Sequence, residues 1–268
     1  MEKICNVNGE VFLLVNPLTH DIRSKEQING YKRQLEKEKD TRYFTFADME
    51  SLQEVISCLS NVHLGYLLHL QCFIDLKTGF LHTQKGKVMT KKVDIQKTLG
   101  ITESTRKRLC KALEDNSILE VVDGKYRINP KYHFKGQAND KKVIKLFTTT
   151  LKDLCKSLNP NELGFLYKLL PYVHYETNMI CINPFERDPN KIKFLNIEGI
   201  SEKTGMNEKK IPALITGLRK SKIIRESVGE DKRNTFIKLN PYIFYRKSGK
   251  PDNSLKAEFA SSPYSPKK

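Results

Sequence analysis

The chain has 268 residues, with 47 Lys and Arg against 31 Asp and Glu, for a formal net charge of +16. Hydrophobic residues make up 38% and the mean hydropathy is −0.52, enough for one large or two medium domains. Every apolar run falls far short of the ~20 residues of a membrane span, and MEKICNVNGEVF lacks the cationic start and apolar stretch of a secretory signal, so a cytoplasmic protein is expected.

Residues 1–42 read as an N-terminal arm and charged linker. Val11–Val15 is an apolar run ended by Asn16-Pro17, suited to an edge strand or a docking arm. Residues 19–42 are dense in charge and weakly periodic, as in an exposed linker or surface helix. From Tyr43 a pattern begins. Leu52, Val55, Ile56 and Leu59 have helical spacing, and Ser51 with Glu54 predicts a capping box. A second apolar helix follows around Leu64, then a short strand with Phe73-Ile74 and Phe80-Leu81.

Lys91–Gly136 organises the chain. Val93–Leu99 reads as a helix stopped by Gly100, because glycine tolerates the left-handed C′ geometry. Thr102 or Glu103 starts a second helix, with Leu109, Cys110 and Leu113 as its buried face and Arg106, Lys107, Arg108 and Lys111 as its charge. Ile118–Val122 and Tyr126–Ile128 flank Asp123-Gly124, a strong hairpin signal. Two helices, a tight turn and a hairpin make the winged-helix pattern, in which the basic second helix enters a DNA major groove.

This unit recurs. Ninety-nine residues after the first helix stand Leu151, Leu154, Cys155 and Leu158, with Thr150 and Asp153 in the capping positions. Leu64-Gly65-Tyr66 returns as Leu163-Gly164-Phe165, and Phe73-Ile74 as Tyr172-Val173, at the same offset of 99. The offset becomes 105 for Leu109, Leu113 and Ile118 against Leu214, Leu218 and Ile223, then 111 for Asn129-Pro130 against Asn240-Pro241. Two six-residue insertions in the second copy, near Asn183–Lys193 and Val228–Arg233, account for the steps. The expected fold is mostly α with small β-wings (α+β): two tandem winged helix–turn–helix domains at 43–137 and 143–249. GQANDKK would be a polar linker between them, and 250–268, rich in Ser, Pro and Lys, a disordered basic tail.

The first unit resembles the winged-helix core of RepL-type replication proteins of Firmicute plasmids, on VDIQKTLGITESTRKRLCKALEDNSIL, the wing VVDGKY and the closing RINPKYHFKG. The resemblance spans about residues 31–136, with a fainter second match at 145–249 ending in KLNPYIFYRKSG. Phage and mobile-element DNA-binding regulators look similar at this level. The resemblance implies double-stranded DNA as the partner.

The net charge suits that polyanion: residues 1–136 carry 22 basic and 17 acidic side chains, and residues 137–268 carry 25 and 14. Ser104, Thr105, Lys107, Arg108 and Lys111 are the candidate contacts on the second helix. Lys91 and Lys92 would meet phosphate ahead of the first helix, and Lys125 would reach the minor groove or the backbone from the wing. In the second copy Lys209 and Lys210 hold the matching start, with Lys232 and Arg233 in the wing. Pro212 stands where Lys107 does, so that helix must start late or bend, and Gly217 loosens it further. The second copy then binds through its wing and phosphates, or docks a partner.

No phosphate-binding GxxxxGK[ST], GxSxG or HExxH is present. His20-Asp21-Ile22-Arg23 matches a recombinase HxxR without the expected upstream arginine, and is read as chance. The six cysteines form no CxxC pair, and His69, Cys72 and His82 lack zinc spacing; neither metal nor cofactor is expected, and no enzymatic activity. Three roles stay open: a transcriptional regulator of a phage or mobile element, a replication initiator that binds origin repeats and engages host replication proteins, or a protein-interaction module. A cytoplasmic, nucleoid-associated monomer with two pseudo-equivalent domains is expected, a homodimer being the alternative.

Overall fold

The computed structural model describes residues 3–7, 10–14, 23–28, 30–31, 42–138, 142–228, 235–247 and 249–265. The fold is mixed helix and strand, with small sheets. Two compact units are present: Met1–Thr41 with Ser248–Lys250, and Arg42–Lys247 with Pro251–Lys268.

In the first unit, β1 (Lys3–Val7) pairs antiparallel with β2 (Glu10–Leu14), from Lys3↔Leu14 to Val7↔Glu10. The apolar run at Val11 thus lies in a strand up to Leu14, while Val15 lies outside the described residues. Residues 25–28 are helical and exposed. Ser24 N–H donates to Gln27 Oε1 at 2.9 Å and Gln27 N–H to Ser24 Oγ at 3.1 Å, a reciprocal cap.

The second unit contains both copies. The first begins with a strand, β3 (Phe44–Asp48), followed by α1 (Leu52–Cys58), α2 (Asn61–Leu70) and a 3₁₀ turn at Gln71–Phe73. Then come α3 (Lys92–Leu99), α4 (Glu103–Asp115), β4 (Leu119–Val122), β5 (Lys125–Ile128) and β6 (His133–Phe134). The second copy repeats the order. It has β7 (Val143–Phe147), α5 (Thr148–Ser157), α6 (Pro160–Leu169), a 3₁₀ turn at Leu170–Tyr172, and α7 (Ile197–Thr204). It ends with a 3₁₀ turn at Glu208–Lys210, α8 (Ile211–Lys220), β8 (Ile224–Val228), β9 (Thr235–Leu239) and β10 (Phe244–Tyr245). Counterpart elements keep the offsets of 99, 105 and 111. The bridges Ile74↔Leu81 and Val173↔Ile180 stand at the same turn in each copy.

The two copies share one sheet. Its order is β10-β7-β3-β6, antiparallel throughout, with β3 and β7 at the centre. The pairing runs from Phe44↔Phe147 to Asp48↔Val143, and its middle pair, Phe46↔Lys145, joins counterparts. A local two-fold relation therefore passes through that pair. The same relation governs α2 and α6: a Cβ on Gly65 would lie 2.0 Å from the Pro160 carbonyl oxygen, and one on Gly164 would lie 1.9 Å from that of Asn61. Each of those residues is the other's counterpart, so the contact is isologous within one chain. Thr45, Ala47, Ile144 and Leu146 are buried along alternate positions of β3 and β7.

This overturns two expectations. The boundary drawn between 137 and 143 separates repeats but not bodies, because the core runs across it. Strands β3 and β7 occupy positions that the sequence pattern leaves without an assigned element, just ahead of the helices read at Leu52 and Leu151. The predicted capping boxes do not form either. The Ser51 N–H donates to Asp48 Oδ1 at 2.9 Å, Glu54 pairs with Lys131, and Asp153 pairs with Lys156 at 2.7 Å.

The expectation of a disordered tail over 250–268 also fails, for the described residues to 265. Asp252 caps α9 (Asn253–Glu258), its Oδ1 accepting from Leu255 N–H at 3.0 Å. Leu255 and Phe259, four apart, are buried. The tail also answers a charge problem. In the first hairpin Glu120 faces Arg127 and pairs with it at 2.7 Å. In the second, Arg225 faces Lys238, two like charges. Glu258 of α9 accepts from both: its carboxylate lies 2.7 Å from Lys238 Nζ, and its backbone carbonyl accepts from the Arg225 guanidinium.

Candidate nucleic-acid interface

The helix pair of the first copy is shaped by its ends. Asp94 Oδ2 accepts from the N–H of Lys91 at 3.0 Å and of Thr90 at 3.1 Å, starting α3. Gly100 stops it at φ 66° and ψ 34°. Thr102 then caps α4, its Oγ1 accepting from Thr105 N–H at 3.3 Å. Leu109, Cys110 and Leu113 are buried, which turns Ser104, Lys107, Arg108 and Lys111 outward, all exposed. Thr105 is half-buried, its hydroxyl 2.9 Å from that of Thr102.

Charges on this face are lightly held. Glu103 lies 3.0 Å from Lys107 and 3.4 Å from Arg106, and the Lys107 hydrogen bond holds its carboxyl below the usual range. Exposed pairs of this kind contribute little and yield readily to a competing phosphate. Arg108 lies near His63 of α2, where burial and then that charge lower the imidazole pKa. Arg106 differs: its side chain is only 15% exposed, so it packs rather than reaches out.

Two of the predicted contacts sit differently from expectation. Lys92 Nζ lies 2.6 Å from Glu114, tying the start of α3 to the last turn of α4, and that bond raises its pKa. It is a brace, while Lys91 beside it is exposed. Asp123 and Gly124 take φ of 50° and 71°, the geometry of a type I′ hairpin turn. Lys125 follows them, and its ammonium lies 5.2 Å from the centroid of the Phe80 ring instead of extending from the tip.

In the second copy, Gly205 ends α7 at φ 63°. The next segment opens as a 3₁₀ turn carrying Lys209 and Lys210, both exposed, with Asn207 Oδ1 accepting from Lys209 N–H at 2.9 Å. Helix α8 starts only at Ile211, leaving Pro212 in its first turn where no intrahelical donor is required. The late start expected from Pro212 is therefore what the backbone adopts. At offset 105, Lys107, Arg108 and Lys111 correspond to Pro212, Ala213 and Thr216, so those three positions are neutral in α8, whose exposed charges, Arg219 and Lys220, lie in its last turn. A Cβ on Gly217 would lie 3.2 Å from Glu162 Oε1, a close approach of α8 to α6.

Part of the positive charge of the second half is engaged within the fold. Arg219 pairs with Glu226, Lys222 Nζ donates to the Ser261 carbonyl at 2.9 Å, and Lys168 Nζ donates to that of Thr204 at 2.6 Å. Arg246 stacks on Phe185 at 4.7 Å and Tyr175 at 5.4 Å, and burial lowers its pKa to about 10. It pins the inserted loop, donating to the carbonyls of Val173 and Pro184. Lys232 and Arg233 lie outside the described residues.

Among the described residues, no group of three or more His, Cys, Asp or Glu could hold a metal. Elsewhere, a cavity of about 480 Å³ is lined from five separated segments, including Arg42, Lys135 and Lys152. Local reading of the sequence missed it, because no one stretch holds more than a few of its walls. Compared with family models, curated proteins and solved structures, the chain matches none.

Proposed function

We propose that the chain is a sequence-specific double-stranded DNA-binding protein made of two fused winged-helix units, with α4 as its reading helix. The observation that carries this is the outward face of α4. Ser104, Lys107, Arg108 and Lys111 are exposed on the second helix of a glycine-turned pair that leads into a tight hairpin. That is where a helix–turn–helix presents side chains to base edges. Arg and Lys there pair with guanine O6 and N7, while Lys91 and Lys209 add phosphate contacts. The role we favour is regulation of transcription in a phage or mobile element.

A second reading is a replication initiator at origin repeats. The inequality of the two copies favours it: one basic and one neutral reading face in a single chain suit a non-palindromic site, the kind that recurs in direct repeats. Selection of bound fragments from native genomic DNA tests both. Enrichment of a promoter site supports the regulator, enrichment of a tandem array supports the initiator, and enrichment of no sequence refutes specific binding.

A further inference from the structure

The cavity noted above opens where the copies join. Phe73 and His82 belong to the first copy, Lys135 closes it, and Lys152 lies on α5 of the second; Arg42 and Tyr43 precede β3. At about 480 Å³ it falls within the range of small-ligand sites, roughly 300–1,000 Å³. Two lysines, Lys135 and Lys152, line it, while the Arg42 guanidinium at its edge stacks on the Phe147 ring at 3.9 Å. Lys135 is half-buried, and burial followed by the nearby Lys152 charge pushes its pKa down. The Lys152 ammonium lies 4.3 Å from the centroid of the Phe73 ring. Among the described residues neither lysine is ion-paired.

A partly buried ammonium such as that of Lys135, with a second cation nearby and no carboxylate bound to it, is destabilised until an anion arrives. Asp75 stands at the same cavity and its charge offsets part of that effect on Lys135, while its Oδ2 accepts from Lys77 N–H at 3.0 Å, Thr78 N–H at 2.9 Å and Thr78 Oγ1 at 3.0 Å. His82 Nε2 is shielded from solvent and has no hydrogen-bond partner. At the mouth the Tyr43 side chain is 75% exposed, a flat apolar surface beside the cations.

We propose that this cavity is a binding site for a small phosphate-bearing ligand of mononucleotide class, with Lys135 and Lys152 holding the phosphate and Tyr43 stacking on the base. Lysine serves as a point-charge phosphate binder, and base–aromatic stacking is tolerant of base identity. The site is separate from α4 and does not depend on the DNA-binding reading.

The test is calorimetric titration of the full chain with adenosine 5′-monophosphate and, separately, inorganic phosphate. One AMP per chain is expected. Lys135→Gln and Lys152→Gln should each weaken it about tenfold or more, as the loss of a charge-assisted bond requires. Tyr43→Ala should weaken AMP and leave phosphate unchanged. Lys152→Arg keeps the charge and should keep binding, which separates loss of the site from loss of the fold. Phosphate binding as tightly as AMP, with the same lysine dependence, would support the phosphate site and remove the base contact. Absence of both ligands, or lysine variants that bind like the parent, overturns the proposal. So does loss of AMP binding in Lys107→Ala/Arg108→Ala with Lys135 and Lys152 intact, since the ligand would then sit on α4.

Discussion

Single residues set the joint between the copies. Gly65 and Gly164 are interior to helices, where alanine is ordinarily favoured by about 1 kcal/mol. Here that preference reverses, because each Cβ would meet a backbone carbonyl at 2.0 or 1.9 Å and neither backbone can move alone. Gly65→Ala and Gly164→Ala should each destabilise the chain by roughly 2 kcal/mol or more, read as a lowered urea midpoint. Buried His133 and half-buried His69 set its acid limit. Burial lowers His133 to about 3 and His69 to about 4, and His133 Nε2 lies 2.8 Å from the Tyr167 hydroxyl. Unfolded histidine takes up its proton near pH 6.5, while these folded rings do not until far lower. Their contribution is thus fully present above pH 6.5 and declines as pH falls toward 4 and then 3. Each adds a slope of up to ~1.4 kcal/mol per pH unit in that window. Urea unfolding at pH 6.5, 5.5 and 5.0 should show the decline, and His69→Gln should make it shallower. An unchanged slope in that variant would contradict the assignment.

At the scale of elements, two equivalent helices have parted in chemistry. Helix α4 keeps its basic outward face; α8 has replaced that face with Pro212, Ala213 and Thr216 and begins late behind a 3₁₀ turn. On the DNA-binding reading, Arg108→Ala or Lys107→Ala should cost ~1–3 kcal/mol on the preferred sequence and little on random DNA. Ala213→Ser on α8 should change neither. Competition binding with specific and random duplexes separates these outcomes. A strong specific loss from Ala213→Ser with none from Arg108→Ala would mean that α8, not α4, reads the sequence.

At the scale of the whole chain, the register of β3 with β7 and the crossing of α2 with α6 build an internal two-fold around unlike halves. A one-unit protein reaches two half-sites by dimerising, at about 34–36 Å centre to centre. On the DNA-binding reading the second unit is covalently supplied, so one chain per minimal site is expected, on a sequence without palindromic symmetry. Light scattering or native mass measurement of the complex checks this; two chains on a symmetric site would refute it. With +16 of net charge, affinity should also fall steeply and log-linearly with salt.

Much of the local architecture is carried by short-range signals. Gly100, the Thr102 cap, Asp123-Gly124 and the buried triplet Leu109, Cys110 and Leu113 act within a few residues of themselves, so their elements were legible without a structure. The offsets of 99, 105 and 111 exposed the duplication for the same reason: insertions fall in loops while the periodic faces persist. The direction in which Lys107, Arg108 and Lys111 point also follows from helical period alone. What the sequence could not determine depends on partners far along the chain. Strands β3 and β7 are five residues each and find their hydrogen bonds across about a hundred residues, so no local period announces them. The tail is composed like a disordered segment, yet Leu255 finds Phe147 and Tyr245 only once the shared sheet exists, and Glu258 finds Lys238 only once the second hairpin does. Lys92 reads as a phosphate contact until Glu114 is brought beside it. Local geometry needs only neighbouring residues, whereas pairing between strands, the burial of a tail and the fate of a charge are decided by which surfaces the finished fold brings together.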